Sequence, residues 1–414
     1  MAVKIVGCIT EYNPFHNGHR YHIEEAKRIT GADIAVAVMS GDFVQRGAPA
    51  FIDKYSRTEM ALSCGADIVF ELPVCYATGS AEYFALGAVS LLDKLGIVDY
   101  LCFGSECGDI ANLNSLAEIL AEEPEEYGRI LNSLLREGRT YPAARMEAVR
   151  HFVPELTDSV FSSPNNILGI EYIKALKRLE SPIRPVTIRR RDAHYHAEEL
   201  TPGKGAAISS ATSIRKILRS GYPLKNIKQH VPKPVYDILE AGYGKTFPIF
   251  EDDYSLLLNY KLMQESMESL ASYTDVRTDM ANRIYRMDKS GLCFSKLAQQ
   301  IKSRQWTLTR VNRALTHILL NLTARNFKSY NRSGYVQYAR LLGLRTSCSS
   351  ILRQIDKNRI TVITKLADAA NDLSEEGLNM LNEDLFAAQL YNQVVFSKYG
   401  TLSKDEFRQG IVLF

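Results

Sequence analysis

What this chain lacks narrows it quickly. None of its seven cysteines stands in a CxxC pair and the count is odd, so neither a disulfide framework nor a zinc ribbon is written here. The thiols read as reduced ones in a cytoplasmic protein. No run of about 18 apolar residues occurs, which argues against a helical membrane span. Met1 to Gly7 has neither the charged lead nor the cleavage site of a signal peptide and reads as a buried strand. The sequence carries no internal repeat and no low-complexity tract. Large net charge is missing too: 50 Lys and Arg stand against 47 Asp and Glu. Any affinity for nucleic acid must therefore come from local segregation of charge. At 414 residues the chain exceeds one ordinary core, and two domains are expected.

What is present alternates. Val3–Ile9, Ile34–Met39, Ile68–Leu72, Tyr100–Phe103 and Val186–Arg190 read as strands. His19–Ile29, Ser56–Cys64, Ala81–Leu95 and Ile167–Leu179 between them carry apolar residues at helical spacing. Such alternation predicts a mostly parallel sheet with right-handed crossovers, whose ligands sit beyond the carboxyl ends of the strands. Past Pro232 and Pro234 the period is helical as far as Phe414, with breaks at Gly242–Lys245 and Ser290-Gly291. The expected fold class is α/β: a Rossmann-like parallel-sheet domain over residues 1–235, followed by an all-helical domain over 236–414.

The densest chemistry lies in Gly7-Cys8-Ile9-Thr10-Glu11-Tyr12-Asn13-Pro14-Phe15-His16-Asn17-Gly18-His19. A strand ends near Thr10, a proline-containing turn follows, and a helix opens at Gly18-His19. The opening turn of a helix offers free N–H groups and the positive end of its dipole, a natural phosphate seat. His16 and His19 flank that mouth, and two imidazoles there can donate hydrogen bonds to charge developing on a phosphoryl oxygen. The spacing His16-x-x-His19-x-x-His22 is also compatible with a metal site, but no cysteine pair completes four ligands.

The ordered set of motifs resembles a known family. His16-Asn17-Gly18-His19 after a first strand is similar to the HxGH signature of the nucleotidylyltransferase superfamily. The longer string Glu11 to His19 resembles, more narrowly, the bacterial tRNA(Met) cytidine acetate ligases. The resemblance continues in Gly41-Asp42-Phe43-Val44-Gln45-Arg46-Gly47, Phe103-Gly104-Ser105-Glu106, Ser163-Pro164-Asn165-Asn166-Ile167-Leu168, Arg190 to His196 and Ile208 to Arg215. It implies His16 and His19 as catalytic residues. It implies ATP contacts from Ile9, Thr10, Glu11, Tyr12, Asn13, Pro14, Phe15, His16, Asn17, Gly18, His19, Arg20, Tyr21 and His22, and from Gly104, Asn165, Asn166, Arg190, Ser210, Ser213 and Arg215. The bland readings stand beside these: Ser210 to Ser213 can be an ordinary helix cap, as can one of the two asparagines. Arg189 and Arg191 can be solvated charges, and His194 and His196 exposed. Cys102 and Cys107 read as incidental, and His317 as a satisfied core histidine. A role for Arg46 near substrate stays open.

Between Asp288 and Asp356 there is no acidic residue but twelve Lys or Arg. The candidate RNA contacts within it are Lys302, Arg304, Arg310, Arg313, Arg325, Lys328 and Arg332, a cluster suited to phosphate attraction. Trp306, Phe327, Tyr330, Tyr335 and Tyr338 are interleaved, and most of them are expected in the core rather than stacked on bases.

The resemblance implies a ligase with ATP as substrate; Mg²⁺ is expected on its phosphates, to neutralise the polyphosphate, and no protein residue is named as a metal ligand. Acetate is activated as acetyl-adenylate and passed to N4 of the wobble cytidine of elongator tRNA(Met). Two other readings fit the residues alone. One is adenylyl or cytidylyl transfer to a small metabolite, which would ignore acetate and tRNA. The other is a non-catalytic RNA-binding factor, which would not consume ATP.

Overall fold

The computed structural model describes residues 3–153, 160, 163–190 and 210–414. Five parallel strands form its centre: β1 (Ile5–Thr10), β2 (Ile34–Ser40), β5 (Ile68–Leu72), β6 (Tyr100–Ser105) and β7 (Arg184–Arg189). A short antiparallel hairpin, β3 (Phe43–Val44) and β4 (Ala48–Pro49), follows β2. The first three central strands are buried along nearly their whole length, as strands covered by helices on both faces must be. Their order in the sheet is β5-β2-β1-β6-β7. The chain therefore runs outward one way from β1 and returns to its other side at β6, leaving a switch point between β1 and β6 where ligands of such sheets bind.

The carboxyl-terminal part is helical over much of its length, with helices at Ser255–Gln264, Thr278–Arg286, Phe294–Ile301, Leu308–Leu319, Ala324–Arg332 and Glu375–Tyr399. The expectation of an all-helical second half is corrected in one respect. β8 (Tyr338–Leu344) lies antiparallel to β5, and β9 (Thr361–Ile363) and β10 (Val412–Leu413) pair with β8, so the same sheet continues into this part. All seven residues of β8 are buried. A strand covered on both faces has no polar alternation, and Tyr-Ala-Arg-Leu-Leu-Gly-Leu therefore passed for helix.

An ion network fastens this return. Lys54 Nζ lies 2.9 Å from Glu71 Oε1 and 3.0 Å from Glu406 Oε2, and Arg340 Nη1 lies 3.2 Å from Glu71 Oε2. Arg340 Nη2 also pairs with Glu406, and the Tyr55 hydroxyl donates to Glu406 at 3.0 Å. All four charged groups are at least 95% buried. Two cations facing two carboxylates offset much of the cost of leaving water. Lys54 and Arg340 hold the Glu406 carboxyl down at about 2 against the opposing effect of burial.

His317 is the core histidine expected of it, with its ring nitrogens 2.9 Å from Thr274 O and 3.1 Å from Thr78 O. Cys102 and Cys107 are free thiols. No helix among the described residues is long and apolar enough to cross a membrane.

Candidate functional site

At the end of β1 the chain turns through Tyr12, in the left-handed region at φ 48°, and enters the helix Asn17–Thr30. The opening of this helix differs from the expected mouth of free amides. His16 is its N-cap: the Gly18 N–H donates to His16 Nδ1 at 3.0 Å, and the His16 N–H donates back to His19 Nδ1 at 3.2 Å. The His19 N–H turns to His16 O at 2.9 Å. The two imidazoles thus form a capping box, in the places usually taken by Ser or Thr and Glu. The consequence is chemical. With both Nδ1 atoms accepting from backbone amides, the neutral tautomer puts the proton on Nε2 of each ring.

The rings are held as a unit. Their centroids are 3.6 Å apart and stacked, and His19 meets Tyr12 and Phe15 edge-on at 5.0 and 5.4 Å. Burial, then the charges of Arg190 and Arg215, push His16 down to about 3. Burial, then His16 and Arg190, hold His19 well below the usual imidazole range. Burial and Arg190 bring His22 to about 4. All three are thereby held neutral near neutral pH, a state in which the Nε2–H of His16 and of His19 can donate a hydrogen bond without a spare proton to give up.

The remaining residues of the stretch divide by position. Tyr12 and Phe15 are fully buried in the core, and Pro14 is buried as well. Ile9 packs against the core and Thr10 is buried. Asn13 Oδ1 accepts from the Phe51 N–H at 2.7 Å, and Asn17 Nδ2 donates to Gln229 O at 2.9 Å. Arg20 faces outward and pairs with Glu24 at 2.7 Å, while Tyr21 is half-buried. Glu11 stays at the strand end, where its Oε1 accepts the Gln45 N–H at 2.9 Å.

Two further loops converge on the imidazoles. Arg215, on the helix Ala211–Arg219, donates from Nη1 to Asn13 O at 2.5 Å. Ser210 caps that helix by accepting from the Ser213 N–H at 3.2 Å, and the two hydroxyls are 2.9 Å apart. On the other side, the Arg190 side chain crosses Gly104, where a Cβ would stand only 3.2 Å from Arg190 Cγ. Arg190 Nη1 donates to Asn165 Oδ1 at 3.1 Å. Asn166 is buried, and its Oδ1 accepts from the Glu106 and Cys107 amides at 2.9 and 3.2 Å, so it ties loop to helix. Of the three adjacent arginines, Arg189 packs at Gly108 and Arg190 reaches Asn165. Arg191, His194, His196, Ile208 and Ser209 lie outside the described residues.

Sequence reasoning missed Arg57. It is wholly buried and donates to four carbonyls: Ile52 O at 2.9 Å, Glu11 O at 2.7 Å, Ser40 O at 2.9 Å and Gly41 O. One guanidinium thereby fastens the ends of β1 and β2 that floor the site. Nothing in a helix-spaced Arg announces this. Asp42, on the same loop, turns inward and accepts the Lys54 N–H at 2.9 Å, with burial raising its carboxyl to about 7. Arg46 at the hairpin tip is exposed. The adjoining Gly47 is required: its φ is +69° and a Cβ would lie 2.2 Å from Arg313 N.

The basic stretch is thinner in space than along the chain. Arg313 is committed to Asp275 at 2.8 Å, Arg340 to the buried network, and Arg345 to Asp67 and the carbonyls of Leu62 and Ala66. Arg310 is half-buried. Lys302, Arg304, Arg325, Lys328 and Arg332 are exposed. The last three share one face of the helix Ala324–Arg332 and line an open groove of about 490 Å³ with Ser272, Ala324 and Ser329. Trp306, Phe327, Tyr330 and Tyr338 are core, and Tyr335 is half-buried.

Comparison with known proteins agrees with this geometry. The family model described as HIGH Nucleotidyl Transferase matches residues 3–406. A protein of Acetivibrio thermocellus named tRNA(Met) cytidine acetate ligase is 40% identical over 99% of this chain and 100% of its own length. One of the same name from Caldanaerobacter subterraneus is 39% identical over 99% of this chain and 100% of its own. Among solved structures, Thermotoga maritima TmcAL bound with alpha-thio ATP superposes with a TM-score of 0.90 at 29% identity, covering 99% of both chains. The apo form of that protein gives 0.92 at 29% identity over 100% of both.

Proposed function

The chain belongs to the tRNA(Met) cytidine acetate ligase family, and from that premise we propose that it acetylates N4 of the wobble cytidine of elongator tRNA(Met), using ATP and acetate in the cytoplasm. In the first step a carboxylate oxygen of acetate attacks the α-phosphorus and the α–β bridging bond breaks. Acetyl-adenylate forms and pyrophosphate leaves. In the second step the cytidine N4 attacks the acetyl carbon, AMP departs with the electron pair of the C–O bond, and N4 loses a proton to solvent. No enzyme nucleophile is needed, because a mixed anhydride already has a good leaving group.

The observation that supports this best is the pair of Nε2–H donors, pinned by backbone amides and flanked by Arg190 and Arg215. Preorganised donors that need not move favour the transition state over the ground state. Arg215 and the Ser210 and Ser213 hydroxyls suit the departing phosphates, and Gly104, Asn165 and Arg190 the nucleoside end. Mg²⁺ would neutralise the polyphosphate. Glu11, a single carboxylate at the strand end, fits an ion held chiefly by phosphates and water.

For the RNA, we propose a functional division near residue 235. The exposed Arg325, Lys328 and Arg332, with Lys302 and Arg304, are the phosphate contacts; Arg313 and Arg310 support them from within. The test is to supply ATP, labelled acetate and bulk tRNA, digest the RNA and look for acetylated cytidine. Product is expected only when ATP and acetate are both present, and almost none from His16→Ala or His19→Ala. Label arriving from acetyl-CoA without cleavage of ATP would refute the route, and pyrophosphate release that needs a small metabolite but neither acetate nor tRNA would favour the small-molecule alternative.

A further inference from the structure

We infer that Glu106 is a positioning residue for the nucleotide: acting through the Asn165 side chain, its carboxylate sets the direction of the Arg190 guanidinium. This rests on the reading of Arg190 as an ATP contact.

Three helices open toward the site. The helix Asn17–Thr30 is capped by His16, and the helix Ala211–Arg219 by Ser210. The helix Pro164–Arg178 is closed differently, by a carboxylate from another strand's loop. Glu106 Oε2 accepts the Asn166 N–H at 2.9 Å, and Oε1 accepts the Asn165 N–H at 3.3 Å. A negative charge already fills this dipole end, so it repels rather than seats a phosphate. The phosphate groups are left to the other two helices, and this third one serves the nucleoside side.

The same carboxylate fixes an amide. Glu106 Oε1 takes the Asn165 Nδ2 hydrogen at 2.6 Å, which leaves Asn165 Oδ1 facing Arg190 Nη1 at 3.1 Å. Glu106, Asn165 and Arg190 thus form a chain in which each donor has one acceptor. The Arg190 N–H donates to Ser105 O at 2.9 Å, and its side chain lies across Gly104, so the guanidinium is located from both ends. Replacing Glu106 by Gln puts an NH₂ in place of one of the two oxygens that together accept three donors. If the Asn165 amide turns over in response, its own NH₂ faces the guanidinium and the link to Arg190 breaks.

The experiment measures the ATP dissociation constant by calorimetry on the full chain without tRNA, in a double-mutant cycle. Glu106→Gln should weaken ATP binding about tenfold, as loss of a charge-assisted link does. In an Arg190→Ala background the same change should cost less than about twofold, because the residue it acts on is gone. Equal losses in both backgrounds, or none in the first, overturn the inference. If Arg190→Ala alone leaves ATP binding intact, the Arg190 assignment itself falls. Asn165→Ala repeats the cycle while leaving Glu106 on both helix amides; its loss should likewise shrink in the Arg190→Ala background, down to what Asn165 itself contributes to the nucleoside, and the inference fails if the loss is the same in both, whether or not the Gln variant folds.

Discussion

His16→Asn separates the two things that His16 does. Asparagine is a good N-cap, so its Oδ1 can take over the Gly18 N–H, while the titrating ring and its Nε2–H disappear. In the unfolded chain an imidazole ionises near 6.5, but His16 is held at about 3 in the folded protein. Above the ordinary value both states are neutral and His16 adds no pH dependence. Below it the unfolded state gains a proton that the folded state refuses, so stability drains away as pH falls, until the folded value is reached. From about pH 7 to pH 5 this amounts to roughly 2 kcal/mol for His16 alone. Urea unfolding of wild type and variant across that window should therefore show the variant gaining about 2 kcal/mol relative to wild type as pH is lowered. Curves that stay parallel would refute the account of a buried, neutral ring. At constant pH the variant should lose acetate-dependent ATP–pyrophosphate exchange by about 100-fold, the usual cost of one missing transition-state donor.

Other perturbations follow from buried charge and backbone. Arg57→Met should cost about 3 kcal/mol or more in chemical denaturation, because four carbonyls lose their donor; a loss below about 1 kcal/mol contradicts its role as a fastener. Gly47→Ala should destabilise by about 2 kcal/mol or more, since φ is +69° and the Arg313 backbone blocks the added carbon; an unchanged melting temperature would count against that packing. Glu406→Gln leaves Lys54 and Arg340 sharing Glu71, with Asp42 3.8 Å from Lys54, and should cost about 3 kcal/mol at neutral pH. The difference should fade as acid protonates the wild-type carboxylate, from near its unfolded value of 4.5 downward through about 2. Arg325→Glu with Arg332→Glu should weaken tRNA binding and flatten its salt dependence while leaving ATP affinity alone.

The amino-terminal half was legible because its strands are short, β-branched and separated by helices, and because motif order survives in the chain. What stayed hidden is long-range. His16 and His19 were legible as a pair, yet their capping role depends on which nitrogen meets which amide. Arg57 looks like any helix-spaced arginine until three chain segments close around it. Arg340 and Arg313 counted toward a basic surface because their acids, Glu71, Glu406 and Asp275, lie 38 or more positions away. The strand Tyr338–Leu344 was unreadable because double burial erases alternation.

The return of β8 to the sheet has a practical outcome for anyone wishing to harvest the catalytic half. Cutting after residue 235 would bare the hydrogen-bonding rim of β5 and abandon Lys54 and Glu71 in an apolar interior without Arg340 or Glu406. A naked rim of that kind recruits other chains. Such a fragment should clump rather than catalyse, so the amino-terminal strands and the carboxyl-terminal helices stand or fall as one object.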